Sequence, residues 1–157
     1  NDIAPVLNPA AIARIRAYAG QLPAFDTVSG LEAFFRQVYA PYGWLSEVQW
    51  RRLTESSTRR LPDGRVTPHY DPAMVRQFVV HEHDYDQWAA WDGLQIPVLC
   101  LRGVDSDLVL PETITAMRQR GPGARGLLQV IEVPGCGHAP ALNVPRQFDW
   151  IEAFFRR

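Results

Sequence analysis

The sequence predicts an α/β chain, and three observations carry that prediction. Ile96 to Gly103 is an unbroken apolar run, as expected of a strand covered on both faces. Leu127 to Val133 is a second such run, and the segment between them, Pro111 to Arg120, has helical spacing with Ile114 and Met117 inward. Strand, helix and strand in this order form a right-handed parallel crossover. Before Gly93 the periodicity is helical instead. The expected organisation is therefore residues 9–92 as a helical block and 93–157 as the α/β block.

Within the helical block, Ile12, Ile15, Tyr18 and Ala19 mark a first helix that Gly20 stops. Ser29-Gly30-Leu31-Glu32 has the form of a capping box, followed by Leu31, Phe34, Phe35 and Val38 on one face. Ser46-Glu47-Val48-Gln49 repeats the box for a third helix, on which Glu47 precedes Arg51 and Glu55 precedes Arg59 at pairing distance. Leu61-Pro62-Asp63-Gly64 is a turn. Asp71-Pro72 opens a fourth helix with Met74, Val75, Phe78 and Val79 as its apolar face. In the α/β block, Gly121-Pro122-Gly123 breaks the crossover helix, and Pro145 to Phe155 closes the chain as a helix bearing Phe148, Ile151, Phe154 and Phe155.

Composition narrows the function. The 157 residues are 46% hydrophobic with a net charge of −1, an ordinary globular balance. All sixteen positive charges are Arg, which removes Schiff-base lysine chemistry and the phosphate-binding P-loop. No apolar run is long enough to span a membrane, and Asn1-Asp2-Ile3-Ala4-Pro5 lacks the features of a secretory leader; it has the character of a chain already under way. Cys100 and Cys136 have no framework spacing, which suits inert thiols in a reducing, cytoplasmic setting.

The chemistry concentrates in two loops. Gly103-Val104-Asp105-Ser106-Asp107 follows the first strand, and Gly135-Cys136-Gly137-His138-Ala139-Pro140 follows the second. A carboxylate and an imidazole at the C-terminal ends of neighbouring parallel strands are the acid–base half of a hydrolytic triad. Gly135 and Gly137 let the His loop bend where a Cβ would obstruct it.

These words also carry a resemblance. "IPVLCLRGVDSDLVLP" followed by "VIEVPGCGHAPAL" resembles the C-terminal third of an α/β-hydrolase, and "DYDQWAAWDGL" and "NDIAP" are similar to its esterase-like members. The resemblance implies the C-terminal part of an α/β-hydrolase parallel sheet, with residues 1–8 as the end of a core strand and entry to a helical cap over residues 9–92. It implies His138 as the triad base and, from the motif Ser-Asp-x-x-x-Pro, Asp107 as the acid, with Asp105 and Asp2 as competing acids. It further implies hydrolysis of an ester-like or related small substrate, with no metal or organic cofactor.

The departure from the family is the nucleophile. Its Gly-x-Ser-x-Gly elbow is absent, and none of Ser29, Ser46, Ser56, Ser57 and Ser106 has the elbow's glycines. Cys136 is no substitute, lying between glycines in the His loop. The expectation is a chain inactive alone, pairing with a missing N-terminal portion or another copy of itself. The alternative is a non-catalytic binding module that keeps the hydrolase frame. Trp88 and Trp91 are candidates for lining a substrate pocket between cap and core, with Trp88 the substrate-binding choice, although packing competes. His81, Glu82, His83, Asp84 and Asp86 offer mixed metal donors but read better as a solvated loop. Arg51, Arg52, Arg59, Arg60 and Arg65, interleaved with Glu, read as a solvated face rather than a nucleic-acid surface.

Overall fold

The computed structural model describes residues 1–156, with Glu82 and His83 defined by backbone alone. In chain order the elements are α1 (Pro9–Ala19), α2 (Val28–Val38), α3 (Glu47–Ser56), β1 (Thr58–Arg60), β2 (Val66–Pro68), α4 (Gln77–Val80), α5 (Trp88–Gly93), β3 (Val98–Gly103), α6 (Pro111–Gln119), α7 (Gly121–Ala124), β4 (Leu128–Val133) and α8 (Pro145–Phe155). They divide into two compact units. One comprises residues 1–8, 41–43 and 83 onward; the other comprises 9–40 and 44–82. Residues 83–92 thus belong with the sheet, not with the helical block to which their periodicity assigns them. The reason is Trp91, buried in the sheet unit's core.

In the sheet unit, β3 and β4 pair in parallel, from Val98 opposite Leu128 to Gly103 opposite Val133. Among the described residues this sheet has two strands. Successive side chains of β3 enter different cores, as the two-residue period of a strand requires. Cys100 joins Trp91, Val109, Ile114 and Met117. Leu101 joins Val133 and Cys136, with Trp150 and Ile151 of α8 packed alongside. That is why the β3 run is apolar through Leu101. Pro111 opens α6 at a position where its missing N–H costs nothing, and Ile114 and Met117 face inward as their spacing predicts. The crossover helix ends as expected, at Gln119 with Arg120 extended, and Gly121–Ala124 then forms the separate short helix α7. One expectation changes here. On α8, Phe148 and Phe155 are exposed, and Trp150 and Ile151 make the packed face.

In the helical unit, Leu31, Phe35 and Val66 form the buried cluster, with Phe25, Phe34 and Tyr39 against it. The α2 cap is Thr27, whose side chain accepts the Gly30 N–H at 3.1 Å, and not Ser29. Helix α2 starts at Val28, so Ser29 lies within its first turn, and Glu32 reaches Arg36 instead of a cap. The Ser46–Gln49 capping box forms with both reciprocal bonds. Glu47 pairs with Arg36 at 2.7 Å, and Arg51 adds the smaller electrostatic attraction that the spacing predicts. The guanidinium of Arg36 holds the Glu47 carboxyl below its usual value. Glu55 and Arg59 do not share a helix, because α3 ends at Ser56 and Arg59 lies in β1. β1 and β2 form an antiparallel hairpin around the Leu61–Gly64 turn, an element the polar run of that segment conceals. Asp71 caps the Ala73 N–H at 2.8 Å as expected, but the helix that follows leaves Met74 and Val79 exposed.

Candidate active site

His138 is placed by close backbone approach between the two loops. An ideal Cβ on Gly103 would stand 2.2 Å from the Gly137 carbonyl oxygen and 2.6 Å from that of Cys136, so only glycine lets the end of β3 meet the His loop. Gly135 turns the chain at φ +71°. The Asp105 N–H donates to Cys136 O at 3.0 Å, and the Gly137 N–H donates to Pro41 O at 2.7 Å. The Pro41–Gly43 segment therefore adds a second backbone anchor to the His loop.

The carboxylate on the imidazole is that of Asp2, not Asp107. Asp2 Oδ2 lies 3.0 Å from His138 Nδ1. The Asp2 backbone N–H donates to Leu101 O at 2.7 Å, which sets the residue beside the end of β3. Its φ of +51° lies in the left-handed region, where Asp is among the more tolerant side chains. The side chain is wholly buried, whereas that of His138 is 29% exposed. An enclosed carboxylate survives only when its lone pairs are satisfied. Here Oδ1 accepts the Gly103 N–H at 3.0 Å, and Oδ2 accepts the Ser106 hydroxyl at 2.7 Å as well as facing His138. As a carboxylate can only accept, Nδ1 carries the proton and Nε2 is the basic nitrogen.

The expected acid, Asp107, has an exposed side chain, and its backbone oxygen accepts from the Asn8 side chain at 2.8 Å. The physical reason is the neighbouring Ser106. Its hydroxyl points inward and accepts the Leu108 and Val109 N–H groups at 3.3 and 3.1 Å while donating to Asp2. With residue 106 turned in, residue 107 is turned out. Asp105 is exposed too. In the sequence Ser106 stands out only as the serine of the Ser-Asp-x-x-x-Pro motif without the elbow's glycines, and the signal for Arg102 is an arginine inside an otherwise apolar strand.

The other candidates fall elsewhere. Burial first, then Asp2 and Asp105, raises the Cys136 thiol above its ordinary value, so it is a poor thiolate. Trp88 packs against the Trp91 cluster and lies beneath the Arg120 guanidinium, 4.5 Å from the ring centroid, while Arg120 pairs with Asp92. An apolar cavity of about 260 Å³ in the sheet unit is lined by Trp91 together with Ile3, Pro5, Leu94, Leu99 and Met117. The side chains of Glu82 and His83 lie outside the described residues; among those described, no cluster of three His, Cys, Asp or Glu could hold a metal ion. Arg51, Arg52, Arg59, Arg60 and Arg65 are exposed, Arg65 pairing with Asp63 at 2.8 Å. Among the described residues no helix is long and apolar enough to cross a membrane.

No protein-family model matches the chain. A 3-hydroxybutyrate-oligomer hydrolase of Cupriavidus necator is 32% identical over 164 residues, covering 99% of this chain and 55% of the relative. Among solved structures, a Rickettsia typhi protein assigned as a hydrolase superimposes with a TM-score of 0.85 at 24% identity, over 99% of this chain and 52% of that one. An α/β-hydrolase from Novosphingobium aromaticivorans gives a TM-score of 0.77 at 26% identity, over 99% and 55%. The chain thus spans about half the length of the relatives it matches, consistent with a C-terminal portion of their fold. With its parallel β3–β4 pair and the imidazole that follows β4, the chain has the fold of the C-terminal part of an α/β-hydrolase.

Proposed function

We propose that this chain carries the acid–base half of an ester-hydrolysing α/β-hydrolase, and that the nucleophile comes from residues outside it. The observation that carries the reading is the 3.0 Å approach of the wholly buried Asp2 carboxylate to His138 Nδ1. In this scheme Asp2 fixes the ring and stabilises the imidazolium, and His138 Nε2 takes the nucleophile's proton as its oxygen attacks the ester carbonyl. The proton then passes to the leaving alcohol, and an acyl-enzyme remains. Water attacks that acyl group, giving its proton to Nε2, and the acid departs as the nucleophile is reprotonated. The helical unit, residues 9–40 and 44–82, is the cap that sets acyl or alcohol preference.

The relative's name suggests where to look for the substrate. Identity of 32% to a 3-hydroxybutyrate-oligomer hydrolase runs over nearly the whole of this chain, which supports linear esters of short hydroxy acids as the substrate class. The test is hydrolysis of 3-hydroxybutyrate dimers and trimers, beside nitrophenyl esters, by this chain joined to its preceding reading frame, with His138→Ala as control. Turnover that vanishes in the variant is expected. Unchanged turnover in the variant overturns the reading.

A further inference from the structure

We infer that Ser106, held in place by the buried Arg102, is a positioning residue for the Asp2–His138 pair; the inference rests on the function proposed above. Ser106 is 5% exposed. Its hydroxyl donates to Asp2 Oδ2 at 2.7 Å, the oxygen that also faces His138 Nδ1 at 3.0 Å. The rotor has no freedom to turn away, because its lone pairs receive the Leu108 and Val109 N–H groups. With Gly103 N–H on Oδ1, the carboxylate is held at both oxygens by donors that belong to one short loop.

That loop is wound around a guanidinium. Arg102 is 3% exposed, an unusual depth for a charge. Its Nε donates to Val109 O at 2.7 Å, one terminal nitrogen to Val104 O at 3.3 Å, and the other to Ser106 O at 3.4 Å. The half-exposed Glu132 carboxylate lies 3.4 Å away and supplies the countercharge. Three carbonyls spread over the loop thus converge on one rigid, planar donor fork, which lysine could not reproduce. The chain from guanidinium to loop, from loop hydroxyl to carboxylate, and from carboxylate to imidazole is continuous. Arg102 shapes the loop, Ser106 fixes the carboxylate, and the carboxylate aims the ring.

Losing a hydrogen bond to a charged group costs enough to slow the reaction about ten- to a hundredfold when that bond holds the ring for catalysis. In the enzyme carrying its nucleophile, Ser106→Ala should therefore lower kcat by that factor and leave KM within about twofold. Ser106→Thr, which keeps the hydroxyl, should recover most of the loss. The deciding comparison is a double-mutant cycle with Asp2→Asn. If Ser106 acts through Asp2, adding Ser106→Ala to Asp2→Asn costs nothing further. An equal loss in both backgrounds, or wild-type kcat in Ser106→Ala, overturns the inference. Should the alanine form fail to accumulate, Ser106→Cys, which keeps the shape and weakens the donor, takes its place in the same cycle. His138→Ala separates the two levels: an inactive His138→Ala beside a fully active Ser106→Ala removes only the positioning role, whereas an active His138→Ala removes the proposed function itself.

Discussion

Asp2 Oδ2 stands 3.0 Å from His138 Nδ1 although 136 positions separate the two residues in sequence. In the proposed mechanism the contact favours, as the acid, a side chain outside the loop that the local motif points to. In the enzyme carrying its nucleophile, Asp2→Asn should lower kcat roughly 10⁴-fold, because a neutral amide cannot offset the imidazolium charge and can turn its NH2 toward Nδ1, favouring the wrong tautomer. Asp107→Asn, at an exposed side chain, should stay within about twofold of the parent. Steady-state kinetics on the two variants decide between the carboxylates, and the reverse order of effects would return the assignment to Asp107.

Gly103→Ala should fail in a way that Gly93→Ala does not. The added Cβ at 103 would stand 2.2 Å from a backbone oxygen of the His loop, which has no flexible side chain to yield. Overpacking of this kind costs about 1–3 kcal/mol, and here it also displaces His138. At Gly93 an ideal Cβ meets nothing within 4 Å. Urea unfolding of both variants, made in the enzyme carrying its nucleophile and with esterase activity measured alongside, should show loss of both properties for Gly103→Ala alone.

The two thiols should resist alkylation and weaken the fold at alkaline pH. Burial raises both Cys100 and Cys136 above the ordinary thiol value. The folded state therefore favours the protonated thiol. This stabilisation is fully present below the unfolded thiol's pKa and is lost as pH rises through the folded value. Iodoacetamide at neutral pH should label the native protein far more slowly than the urea-unfolded protein. Between about pH 8 and 10 the urea midpoint should fall more steeply than in a Cys100→Ala/Cys136→Ala variant. Equal slopes would contradict the assignment, since Tyr70 and Tyr85, which titrate higher, are common to both proteins.

The chain by itself should neither turn over esters nor remain a well-behaved monomer. Among the described residues its parallel sheet has two strands, and the relatives it matches are about twice as long. Parallel sheets are stable when both faces and edges are covered. Light scattering should therefore show self-association, relieved when the N-terminal portion proposed to supply the nucleophile is added. A monomer with a sharp unfolding transition would favour the stand-alone binding module instead.

What could be foreseen follows the range of each interaction. The parallel crossover, α6 and the His loop were legible because their signals are local: apolar runs, Pro111 at a helix start, glycines around His138. Asp2 was open only as an alternative, because its role depends on a contact between distant positions and on Ser106 occupying the inward direction. The β1–β2 hairpin was hidden since Thr58–Arg60 has exposed arginines, and only the face of Val66, packed against Leu31 and Phe35, is apolar. Thr27 took the cap from Ser29 because a helix start shifted by two residues changes which hydroxyl precedes it.

The small Pro41–Gly43 segment sets a condition on any redesign of specificity. Because the helical residues are interrupted there, exchanging everything between 9 and 82 for another insert would also delete the Pro41 carbonyl that receives the Gly137 N–H. A replacement chosen only for its substrate preference would leave the loop carrying the base one anchor short. Successful chimeras should therefore be those whose donor sequence brings its own acceptor to that amide, or that keep Pro41-Tyr42-Gly43 and exchange the stretches on either side separately.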